Sequence, residues 1–148
     1  MSKILRTLGS GLAGACALTL IHQTAKRVTE KAPRADVLGM RAIAKGMRRV
    51  NLEPPPDDRL FWWTLAGDLA ANSLYYSLVG AGRRPWLRGG LLGLGAGLGA
   101  VALPGPLDLG SRPTGRTLAT KVMTVAWYVT GGLAAAAASR LFSRSLSS

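Results

Sequence analysis

Residues 57–80 read DDRLFWWTLAGDLAANSLYYSLVG, and this stretch decides the fold. Its part from residue 60 to residue 80 holds 21 residues. A helix needs about 20 to cross a hydrocarbon core about 30 Å thick. Asp57 and Asp58 suit the first turn, where carboxylates meet the positive end of the helix dipole. Trp62 and Trp63 follow at the level where aromatic rings settle among headgroups. Asp68 then falls roughly 12 Å further in, at about 1.5 Å per residue. An acid at that depth costs about 2.5–3.5 kcal/mol or more unless it faces protein or water. At about 100° per residue, Thr64, Asp68, Asn72, Tyr75 and Tyr76 share one side of the helix. This polar stripe suits an ion, proton or ligand site, and it also suits a hydrogen-bonded latch between helices.

Three more apolar stretches surround this one. The chain of 148 residues thus reads as one all-α integral membrane domain. Its expected transmembrane helices are four, at 4–22, 60–80, 86–103 and 117–138. In the first, Lys3 and Arg6 precede an apolar run, as in a signal peptide. The run continues past Cys16 through Ile21, so the segment reads as an uncleaved span. Gly9, Ala13 and Ala17 recur every fourth residue, as do Ser10 with Gly14 and Gly11 with Ala15. Small residues at this spacing let helix backbones approach closely in lipid. Cys16 reads as a small packing residue. His22, the single histidine, reads as a polar residue closing the span, with a proton relay as the sharper alternative.

The connection 23–59 carries nine basic residues and five acids. Within it, 36–50 has helical periodicity, with Met40, Ile43, Met47 and Val50 on one face and Arg41, Lys45 and Arg48 opposite, followed by Arg49. A basic amphipathic helix lying at the interface between the first and second spans fits this pattern, and so does a helix packed on the bundle or on a partner. Pro54, Pro55 and Pro56 make a stiff link into the second span.

The third span carries Gly89, Gly93 and Gly97 at four-residue spacing, a surface that should be buried against other helices. In the fourth, Thr117, Lys121, Thr124 and Tyr128 align on one face. The second and fourth spans enter from the same side, about 6 Å out of register at these positions. An ion pair between Asp68 and Lys121 is therefore the sharpest structural expectation, against a Lys121 that snorkels to the interface. The chain ends in a small-residue helix surface and a short basic, serine-rich tail.

A formal charge of +12 would suggest nucleic acid in a soluble protein. Here the cations flank apolar spans, which points to anionic headgroups and membrane orientation instead, with no nucleic acid expected. Without Lys121, basic residues number seven beside the termini and second connection, and eleven beside the first and third connections. The latter side is expected to be cytoplasmic. No metal site is expected from one histidine and one cysteine, and no cofactor motif occurs. Hydrolytic motifs are missing as well, so an enzyme is not expected. Four short spans are similar to those of compact multidrug exporters, and small-residue helices with basic loops resemble mitochondrial inner-membrane import components. The first span lacks the glutamate of the exporters, and neither likeness transfers a residue role.

The expected function is that of a structural or accessory subunit, packing against other membrane proteins or itself through glycine-rich faces. The alternative is a small ion, proton or solute transporter or channel subunit built on the Asp68 stripe. With no Arg/Ser-rich presequence before the first span, a bacterial inner membrane is the expected location.

Overall fold

The computed structural model describes residues 2–144, and within them the chain is all-helical. The order is α1 (Lys3–Val28), α2 (Ala35–Arg49), α3 (Asp57–Gly80), α4 (Pro85–Ala102), α5 (Arg112–Gly115) and α6 (Leu118–Arg144). Local chemistry sets these ends. Ser2 caps α1 by accepting from the Leu5 amide at 3.2 Å. Asp57 and Asp58 open α3 behind the proline link, and Pro85 sits in the first turn of α4. Thr117 accepts from the Thr120 amide at 3.1 Å and starts α6. Asn51, with φ 58°, takes the left-handed conformation just after α2.

Four long helices form a bundle. α1 packs between α3 and α6, α4 packs on the far side of α6, and α3 touches α4 only lightly. Glycines set the closest contacts. A Cβ on Gly93 would lie 2.6 Å from the Val129 Cα, and one on Gly97 would lie 2.7 Å from the Val125 Cα. Gly89 meets Gly132 backbone to backbone, Gly14 meets Gly131, and Gly11 meets Ser73 and Ser77. Gly9 receives the edge of the Phe142 ring. α4 is thus two-faced, with Gly89, Gly93 and Gly97 buried and Leu87, Leu91, Leu94 and Leu98 exposed. The stripe of Gly89, Gly93 and Gly97 is used inside the chain, whereas Gly90, Gly95 and Gly99 meet no other helix backbone. Leu18, Tyr76, Val79, Ala135 and Ala136 form the buried core between α1, α3 and α6.

Among the described residues, two helices, Lys3–Val28 and Leu118–Ser143, are long and apolar enough to cross a membrane. α3 is diluted by its own polar stripe, and α4 is short and contains Arg88. Several expected boundaries move. α1 does not close at His22 but continues to Val28, because Gln23–Arg27 remain good helix formers beyond the apolar run. α6 runs on to Arg144, taking in residues expected to be a tail; residues 145–148 of that tail lie outside the described residues. α5 is too short to leave a periodic signal.

One end of the bundle carries a cap made of α2, the 103–111 loop and α5. Gly39 of α2 sits against the Thr64 methyl of α3. Arg41 donates to the Leu109 carbonyl at 2.9 Å, and Lys45 donates to the Leu107 carbonyl at 2.8 Å and to Asp108 Oδ2 at 3.0 Å. Two cations of the amphipathic helix are therefore turned to the loop, while Arg48 and Arg49 line the groove beside Asp57. The bond from Lys45 holds the exposed Asp108 carboxyl below the usual carboxylate range. The turn between α1 and α2 is tied to the start of α6, where Thr120 donates to the Lys31 carbonyl at 2.9 Å and Arg116 donates to that of Glu30.

Candidate functional site

The expected stripe on α3 divides into latches and a site. Tyr76 is fully buried, and its hydroxyl donates to the Tyr128 carbonyl at 2.7 Å. Tyr75 donates to the Leu92 carbonyl at 2.9 Å. On α6, Thr124 donates to the carbonyls of Thr120 and Thr114, at 2.8 and 3.0 Å. These three hydroxyls are satisfied by backbone carbonyls and tie helices together.

Asp68 behaves differently. Its Oδ1 accepts from Asn72 Nδ2 at 2.9 Å, one helical turn on. Lys121 is exposed, its stem lies against Gly115, and no ion pair joins it to Asp68. The expected pair does not form. α6 buries Thr120 and Thr124 toward the bundle, and Lys121, about 100° around the helix from Thr120, points away.

What faces Asp68 instead is α1. Thr19, His22, Gln23 and Lys26 lie along one side of that helix. Together with Thr64, Asp68 and Asp36 they line a cavity of about 20 Å³, room for about one water molecule. Three buried polar atoms on its wall, Thr19 Oγ1, His22 Nε2 and Thr64 Oγ1, have no hydrogen-bond partner among the described residues. His22 is only 7 % exposed and is held edge-on by Trp127 at 5.3 Å and Tyr128 at 5.8 Å between ring centroids. It is thus a wall of the cavity and not the end of a helix.

The outer mouth of this seam is charged. Lys26 Nζ lies 3.2 Å from Asp36 Oδ2, and Arg34 Nε lies 3.1 Å from Asp36 Oδ1. Burial pushes the Asp36 carboxyl up, but the hydrogen bonds from Arg34 and Lys26 outweigh it and hold the group below the usual carboxylate range. A polar seam therefore descends from the cap, through Gln23 and His22, to Asp68. Beyond it, Asn72 and Tyr75 line a mostly apolar groove of about 580 Å³ between α3 and α4, where Gly95 and Gly99 leave room.

Among the sequence-predicted residues, Asp68, Asn72 and Thr64 come together, while Tyr75, Tyr76, Thr124 and Tyr128 form the neighbouring helix contacts. Thr19 and His22 were missing from the expected site. The signal was present: Thr19, His22 and Lys26 recur at helical spacing on α1. Among the described residues, no group of three or more His, Cys, Asp or Glu side chains is placed to hold a metal ion. No known family pattern, characterised protein or solved structure matches the chain. The site is therefore read from its own chemistry.

Proposed function

We propose that the chain crosses a bacterial inner membrane four times and works as a small transport subunit, passing a proton or small cation along the seam that ends at Asp68. One observation carries this reading: three unpartnered buried polar atoms converge with Asp68 on one cavity. A latch satisfies its own hydrogen bonds, whereas Thr19, His22 and Thr64 leave polar atoms beside a cavity that one water molecule or a small cation would fill. An ionisable pair such as His22 and Asp68 inside a span is costly and is kept where protons or ions pass. The four-span arrangement is supported by the antiparallel packing of α3 and α4 on the two apolar helices, and by exposed Trp62, Trp63 and Trp86 near helix ends. A purely accessory role draws less support from the Gly89, Gly93 and Gly97 face, because α6 already covers it, and keeps the open Gly95 and Gly99 face as its surface.

The test is flux. Purified protein in vesicles under an imposed pH or cation gradient should dissipate the gradient, and Asp68→Asn should slow this on the order of 10²-fold. His22→Asn should slow it too. Transport unchanged by Asp68→Asn in a properly folded protein would leave Asp68 as a latch and return the accessory reading to first place.

A further inference from the structure

The end of the bundle opposite the cap holds a second feature, independent of the Asp68 seam. The chain has seven acidic residues, Glu30, Asp36, Glu53, Asp57, Asp58, Asp68 and Asp108. None belongs to the segments that build this end: the start of α1, the α3–α4 turn and the end of α6. Those segments bring Lys3, Arg6, Arg83 and Arg140 to the wall of one cavity of about 420 Å³, floored by Gly80–Gly82 and edged by the Thr7 and Ser139 side chains. No ion pair neutralises any of the four cations among the described residues. Arg6 Nε is buried without a hydrogen-bond partner. The neighbouring Arg88 shows what a satisfied cation looks like here: it folds over Gly82 and donates to the Leu78 carbonyl at 3.1 Å.

Four like charges from three distant stretches of sequence repel one another in a shared cavity, and with a partly desolvated guanidinium among them the arrangement favours an anion. Guanidinium forks match the geometry of phosphate oxygens, and hydroxyls add neutral donors. The surroundings suit a lipid. Ile4, Leu5, Trp86, Leu87 and Leu141 are exposed on the same segments. A headgroup held by the cations would leave its acyl chains against this apolar surface.

We propose that this cavity binds a phosphate group, presented by an anionic phospholipid. The probes are phosphatidylglycerol, phosphatidylcholine and inorganic phosphate, added to the purified full-length chain in detergent and read by native mass spectrometry. The wild type should retain phosphatidylglycerol about tenfold or more over phosphatidylcholine. Arg6→Gln with Arg83→Gln should remove that preference. Arg6→Lys with Arg83→Lys should keep most of it, which separates charge from folding damage. Arg27→Gln with Arg59→Gln, which removes two cations at the other end, should change little. Displacement of phosphatidylglycerol by millimolar inorganic phosphate would support a site that holds the phosphate group, whereas binding of inorganic phosphate with no retention of phosphatidylglycerol would overturn the lipid as its source. Equal retention of both lipids, or equal loss in the Arg27 and Arg59 variant, would overturn the proposal. Gradient dissipation is read separately, so this outcome does not depend on that of the Asp68 test.

Discussion

Asp36 holds the mouth of the seam together. Its side chain is 10 % exposed and accepts from Lys26 at the end of α1 and from Arg34 at the start of α2. Hydrogen bonds to charged groups contribute about 1.5–3 kcal/mol, so Asp36→Ala should destabilise the fold by about 2 kcal/mol at neutral pH. The folded-state pKa lies below the unfolded value, so the folded state binds fewer protons. The stabilisation is present above the unfolded pKa and fades as pH falls through the folded one. Thermal melts should therefore separate wild type from Asp36→Ala at pH 7, begin to converge below about pH 4 and meet only below the folded pKa; a gap that does not narrow as the pH falls would contradict the assignment. Tyr76 gives the contrasting case. Tyr76→Phe removes the hydroxyl bound to the Tyr128 carbonyl and should cost about 0.5–1.5 kcal/mol. Flux should be left intact, because the hydroxyl faces a helix backbone and not the cavity. A Tyr76→Phe protein that folds but no longer dissipates a gradient would put this tyrosine in the path.

At the level of the helix, the α4–α6 contact is set by backbone approach. A side chain at Gly93 would meet the Val129 Cα and the Tyr128 carbonyl, neither of which can rotate away. Gly93→Val should lower stability by about 1–3 kcal/mol, as overpacking does. Gly46 on α2 has nothing within 4 Å of where a Cβ would stand. Gly46→Ala should raise stability by about 0.5–1 kcal/mol through helix propensity. Melting both variants in detergent checks the pair; a Gly93→Val protein as stable as wild type, or a Gly46→Ala protein less stable, would contradict these contacts. These glycines also explain what was legible in the sequence. A four-residue repeat of small side chains implies that a face is buried, so Gly89, Gly93 and Gly97 could be found without coordinates. The repeat does not say which helix covers the face, so burial within the chain and between copies are both expected from it, and α6 covers it here. The stripe on α3 was legible for the same reason, by periodicity. Its division into latches and a site was not, because that depends on which carbonyls of α4 and α6 come within reach of Tyr75 and Tyr76. His22 was misread because an apolar run ends there, although the helix does not.

Across the molecule the two ends differ in how their cations are held. Beside the cap, Lys26 and Arg34 bind Asp36, Lys45 binds Asp108, and Arg41 and Arg116 bind carbonyls. At the other end, Lys3, Arg6, Arg83 and Arg140 meet no acid among the described residues. Counting Lys121, twelve basic residues flank the cap and seven the opposite end, while six acids lie beside the cap and none opposite. The net charges are thus close: 12 − 6 = +6 against +7. Orientation follows the number of Lys and Arg residues near the spans and little of the acidic content, so the cap should face the cytoplasm and the phosphate cavity the outer leaflet. A cysteine introduced at Glu53 or at the exposed Ala81, with Cys16 replaced by serine, reports this in intact cells. An impermeant thiol reagent should label the Ala81 position and spare the Glu53 position. Reversed labelling would mean that acids do count here and that the acid-free end is retained inside, placing its cavity against the cytoplasmic leaflet. The same reversal would turn the mouth of the Asp68 seam outward and make Asp36 and Lys26 the first groups that an incoming proton or cation meets.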